Sequence, residues 1–125
     1  MSTFLPHKYL AKALNTAIKS IGYRTYGSLP RVEVHSWDTT PEGIKTMVEW
    51  AVTCIIEVIS DNTDVAESLD MIEKIRENIN ETLNVEHFEV WNVTWETLTE
   101  IEEIDENNKH IFRQLQRVRF QVTQK

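Results

Sequence analysis

Four histidines (His7, His35, His87 and His110), one cysteine (Cys54) and twenty acidic residues are the side chains that could bind a metal, carry a proton or attack a carbonyl. The histidines fall in four separate segments, and none has a second histidine or cysteine at ligand spacing. His87 and Glu89 are two apart on a strand and project to one side, which reads as an ordinary surface pair. Cys54, between Thr53 and Ile55 in the most apolar strand, reads as a small buried hydrophobe, and a single cysteine forms no disulfide within the chain. The strand carboxylates face arginines or solvent by pattern, so nothing marks a raised pKa suited to acid–base work. Gly22, Gly27 and Gly43 are too dispersed for a phosphate-binding loop. The expectation is a protein that is not an enzyme and takes no metal and no cofactor.

Thirteen basic against twenty acidic residues leave a net charge of −7, which opposes general affinity for a phosphate backbone and argues against sequence-specific nucleic-acid binding. A chain of 125 residues, 41% hydrophobic and 26% charged, is expected to form a single domain over residues 1–125 with a sizeable core of its own. Its apolar runs are far short of a membrane span. Met1 to Lys8 lacks a basic leader followed by an apolar run, so cytosolic synthesis is expected. Asn80-Glu81-Thr82 and Asn92-Val93-Thr94 match the glycosylation pattern but carry no weight without passage through a secretory compartment.

The elements that must position any site follow from periodicity. Leu10, Ala13, Leu14, Ala17, Ile18 and Ile21 predict a helix over Pro6 to Ile21, with Pro6 in its first turn and Gly22 as its cap. A short strand, Arg31 to Trp37, precedes a loop, Asp38 to Gly43. Val48, Trp50, Val52, Cys54, Ile56 and Val58 then alternate without exception, the clearest strand in the chain. Asp64 and Glu67 stand at capping-box spacing before a second helix running to about Leu83, with Val65, Leu69, Ile72, Ile75 or Arg76, and Ile79 as its stripe. Strands Trp91 to Ile104 and Lys109 to Val122 close the chain. The order helix-strand-strand-helix-strand-strand predicts an α+β fold, a mainly antiparallel sheet flanked by helices and ending in a long β-hairpin.

Folded about Asp105-Glu106-Asn107-Asn108, the last two strands match pair by pair. Trp91, Val93 and Trp95 meet Val122, Phe120 and Val118, while Glu96 meets Arg117 and Glu100 meets Arg113. The same register sets Ile101 beside Phe112 near the tip. An isolated two-stranded ribbon is marginally stable in water, so this apolar pair calls for cover from another copy or another protein. Trp50, Trp91 and Trp95 are expected in the core, and Trp37, beside the Asp38 to Gly43 loop, at a surface contact.

Several segments together resemble the tail terminator or tail completion proteins of long-tailed phages. They are the first helix with Leu10, Leu14 and Ile21, then Tyr26 and Leu29-Pro30, and Val52 to Val58 with Ser60-Asp61. The helix Val65 to Ile79 and the strand Val118-Arg119-Phe120-Gln121-Val122 complete the set. The resemblance spans nearly the whole chain and rests on residue classes. It implies a structural virion protein, made in the host cytoplasm and located at the head-proximal end of the tail. There a homohexameric ring caps the tail tube and joins it to the head connector, without cofactor, catalysis or membrane.

The family supplies no catalytic residues, so the interface expectation rests on this chain's own pattern. The loop residues Trp37, Asp38, Pro41 and Ile44 and the distal-hairpin residues Glu100, Ile101, Glu102, Glu103, Asp105, Lys109, Phe112 and Arg113 are the candidates. DNA passes through such a ring, and Glu102, Glu103 or Glu106 is expected to face the bore, where carboxylate repels phosphate. Two other readings stay open. One is a cystatin-like ligand-binding domain or enzyme with an apolar pocket lined by Trp50, Trp91 and Trp95. The other is an adaptor that binds another chain by strand addition.

Overall fold

The computed structural model describes residues 4–42 and 48–125. Helix α1 (Pro6–Ile21) is followed by β1 (Arg31–Pro41), β2 (Glu49–Ser60), α2 (Ala66–Asn78), β3 (Phe88–Ile104) and β4 (His110–Gln124). The strands form one antiparallel sheet in the order β1-β2-β4-β3, so the last strand inserts between β2 and β3. Both helices contribute to one core on one face of that sheet, with α1 over the β1 side and α2 over β2 and β4. The fold is α+β with the predicted element order.

Each element forms for a local reason. Leu10, Leu14 and Ile18 recur one helical turn apart and are fully buried, each contributing roughly 1.5–3 kcal/mol against the sheet. Gly22 ends α1 with φ 110, a conformation a side chain would strain, and its N–H bonds Lys19 O at 3.0 Å while Tyr23 N–H bonds Ile18 O at 3.2 Å. In β2 the predicted alternation puts Val52, Cys54, Ile56 and Val58 under the helices. The expected capping box does not form: the N-cap of α2 is Val65, and Asp64 before it accepts Ala66 N–H at 2.9 Å. Glu67 forms no reciprocal bond to Asp64; instead it accepts from Ser60 Oγ and Asn62 Nδ2, tying the end of β2 to the helix start.

Two boundaries and one helix face differ from expectation. β1 continues through Pro41, because Asp38 to Pro41 pair with Thr53 to Trp50 after a bulge in which Ser36 adopts φ 59. What was expected as an open loop is therefore strand as far as Pro41, and Ile44 lies outside the described residues. α2 stops at Asn78, and Ile79 turns extended with its side chain still buried. In α2 the buried side is Ser68, Met71, Ile72 and Ile75, whereas Leu69 faces outward.

The β3–β4 register carries two bulges, after Val90 and after Trp95. The expected pairs Val93–Phe120 and Trp95–Val118 form between them. Trp91 does not meet Val122; Val90 does, and Trp91 is the extra residue, turned to the open face beside Glu49, Glu89 and Thr123. Beyond Trp95 every pair is displaced by one, so Ile101 opposes Arg113 and Phe112 opposes Glu102. The second bulge frees the carbonyl of Glu96, and the buried Gln116 amide donates to it at 3.1 Å. A glutamine thus stands in the apolar stripe of β4 because the bulge needs a donor.

Candidate functional site

The hairpin does not project as a free ribbon. β4 pairs with β2 from Thr123 to Phe112, so only the turn and the residues next to it reach past the sheet. Phe112 is covered by its own chain, 8% exposed and opposite Ser60. The expected Ile101–Phe112 patch does not form, because the bulge after Trp95 puts the two on opposite faces. Leu98 (41% exposed), Ile101 (40%) and Ile104 (62%) remain open on β3. β3 is an edge strand, and α2 lies over β2 and β4, leaving the distal half of β3 uncovered on both faces. An edge of that length with unpaired backbone groups is a template for pairing or docking.

The second feature is a polar chain crossing the open face of the sheet from one edge to the other. His35 Nε2 of β1 lies 2.7 Å from Glu57 Oε1 of β2, Arg113 of β4 donates to Glu57 Oε2 at 2.7 Å, and its Nε donates to Glu103 of β3 at 3.1 Å. All four strands are joined. Glu57 is the buried member, its side chain 10% exposed. Burial pushes its pKa up, but the hydrogen bonds from Arg113 and His35 outweigh it and hold the carboxyl below its ordinary value. The same pairing raises the Arg113 pKa, so both groups are charged at neutral pH.

The other predicted residues are dispersed. Trp37 packs half-buried against the core rather than into a loop. Asp38 is exposed in a hollow of about 300 Å³ with Thr40, Glu42, Thr53, Glu96, Arg117 and Arg119, and Pro41 is exposed at the end of β1. Asp105 organises the turn, its carboxylate accepting the N–H groups of Asn107 at 2.8 Å and Lys109 at 2.9 Å. Lys109 pairs with Asp61 at 2.9 Å. Glu102 meets His110 at 2.8 Å, and Glu100 accepts from the buried Gln114 at 2.8 Å. The predicted Glu96–Arg117 pair forms at 3.1 Å, whereas Arg113 pairs with Glu103 instead of Glu100 because of the shifted register.

Glu57 and His35 were missed as partners because strand alternation names a face but not the neighbour across it. The three tryptophans share no pocket, since the bulge puts Trp91 on the opposite face of the sheet from Trp50 and Trp95. Among the described residues no group of three or more histidine, cysteine or acidic side chains is arranged to hold a metal, and no helix is long and apolar enough to cross a membrane. Cys54 is buried and its pKa is pushed up to about 12 by burial alone. The folded protein is therefore expected to react with a thiol probe at least about a hundred times more slowly than urea-unfolded chain at pH 8, since the thiolate is the nucleophile. Equal rates would mean that the strand opens readily.

No family model and no curated protein matches the sequence. Among solved structures the chain is similar to a chain of the virion of a native gene transfer agent particle, with a TM-score of 0.70 and 13% sequence identity. The match covers 95% of this chain and 99% of that one. Likeness at that identity is a likeness of fold, and it extends over nearly the whole of both chains.

Proposed function

We propose that this protein is a structural component of a phage-like virion, acting as a tail terminator. Its copies form a ring that caps the tail tube and joins it to the head connector. The observation that carries this reading is the end-to-end fold likeness to a chain of a virion particle. The uncovered distal half of β3, with Leu98, Ile101 and Ile104 open to solvent, is consistent with a subunit that buries this edge on assembly. The family resemblance supplies the ring, its hexameric number and its place at the head-proximal end of the tail. Folded as one domain, each subunit would work without cofactor or catalysis and without entering a membrane. Passage of DNA through the ring would favour a bore bearing carboxylate; of the expected Glu102, Glu103 and Glu106, Glu102 lies on the helix-side face of β3 with Leu98 and Ile104, which leaves Glu103 or Glu106 as the candidate to face it.

The mass of the purified protein in solution tests this directly. A hexamer, or a ring that forms with rising concentration, is expected, and Ile104→Asp, at the most exposed apolar residue of distal β3, should raise the concentration needed for half-assembly by at least about tenfold while leaving the fold intact. A strict monomer at high concentration, with Ile104→Asp changing neither mass nor melting temperature, would overturn the proposal.

A further inference from the structure

Two exposed surfaces of this chain are complementary, one on the outer side of the helix that packs over β1 and the other on the edge strand β3. The first acidic residue of the sequence is Glu33, whereas Lys8, Lys12, Lys19 and Arg24 precede it. Leu5, Lys8, Lys12, Thr16 and Lys19 recur at helical spacing and are all exposed, so they form one solvent-facing stripe. Lys8 lies over its neighbour Tyr9, and among the described residues none of the three lysines has a carboxylate partner. This basic stripe is carried by the helix on the β1 side.

At the β3 edge, Glu96 to Glu106 holds six carboxylates and no basic residue. The returning strand neutralises few of them. Only Glu96 and Glu103 meet an arginine; Glu102 meets an imidazole and Glu100 an amide. Arg119 turns instead to Glu42 and Lys109 to Asp61. On the helix-side face of distal β3 the residues alternate as Leu98, Glu100, Glu102 and Ile104, all exposed, because each opposes the inward side of β4 yet lies beyond the reach of α2.

We infer that the occupant of this strip is the α1 stripe of a second copy, packed head to tail. The proposal rests on the assembly reading above and specifies its subunit contact. The lengths agree: Lys8 to Lys19 spans about 16 Å along a helix axis, and Leu98 to Ile104 about 20 Å along a strand. The sides agree in chemistry, with lysines over Glu100 and Glu102 and exposed Leu5 able to cover an exposed apolar neighbour at one end of the strip. Because the two surfaces differ and do not overlap, the contact is heterologous. Repeated with a closing rotation it generates a ring, and without one a filament. Glu103, on the other face of β3, stays free of this contact.

Charge reversal with complementation tests it. The full chain carrying Lys12→Glu and Lys19→Glu, and separately one carrying Glu100→Lys and Glu102→Lys, would be followed by sedimentation velocity, with melting curves to verify folding. Each alone is expected to need at least about tenfold more protein for half-assembly than the unaltered chain, since like charges then meet. An equimolar mixture is expected to assemble as the unaltered chain does, because each reversed surface finds its opposite on the other variant. Should the acidic-strand double variant melt early, Glu102→Lys alone replaces it. Assembly of the Lys12→Glu, Lys19→Glu chain at the unaltered concentration overturns the contact and leaves the ring reading standing, as does a mixture that fails to recover. An unaltered chain that never assembles overturns both.

Discussion

Phe120→Ala is expected to lower the stability of the folded chain by about 4 kcal/mol. Phe120 is fully buried on β4, directly between Val52 of β2 and Val93 of β3, with Val118 and Val122 on the same face. Strand spacing is held by the hydrogen-bond ladder at roughly 4.8 Å, so three paired strands cannot close around a missing ring, and the cavity persists. A domain of this size has about 5–15 kcal/mol in all, so the change would remove a large fraction of it. Urea unfolding followed by tryptophan fluorescence, at one fixed protein concentration, should give a much lower midpoint with an unchanged slope. A loss below about 1 kcal/mol would mean that the core is more loosely packed than its burial indicates.

Arg113→Ala should cost about 3 kcal/mol, out of proportion to a residue whose side chain is 31% exposed. The loss comes less from Arg113 than from Glu57, which keeps its buried position and loses the cation that compensated its desolvation. The acid limb of stability reports the same group. Its folded pKa lies below the unfolded value, so the contribution is complete above the ordinary glutamate pKa of about 4.3 and is lost as pH falls through the lower folded value. Glu57→Gln is therefore expected to be less stable than the unaltered chain at pH 7 and to lose less on acidification between about pH 5 and pH 3. Parallel pH profiles for the two proteins would show that Glu57 is not linked to folding.

Much of the fold was legible along the chain. Leu10, Leu14 and Ile18 recur with a helix's period and Val52 to Val58 with a strand's, so both elements and their buried faces were readable from residue type alone. The Gly22 cap was equally legible, since a glycine closing an apolar helical stripe suits the left-handed conformation that it adopts. The Asp38 to Pro41 segment was not. A proline with nearby turn residues looks like a loop, yet it continues an edge strand, where proline costs no ladder bond on the open side.

The candidate site was less legible because it depends on register and on sheet order. Pairing the last two strands residue by residue finds Val93–Phe120 and Trp95–Val118, but a bulge inserts one residue without any change in composition. The bulge after Trp95 is sustained by Gln116, whose amide reaches Glu96 O only once the sheet has formed. That single displacement separates Ile101 from Phe112 and gives Arg113 to Glu103. The insertion of β4 between β2 and β3 then brings Glu57 to Arg113, fifty-six positions apart. Local periodicity determines which face of an element is buried, because burial depends on spacing within that element. Which charged groups meet on the open face, and which stretch of β3 is left uncovered, depends on contacts between elements far apart in sequence, and these exist only in the folded sheet.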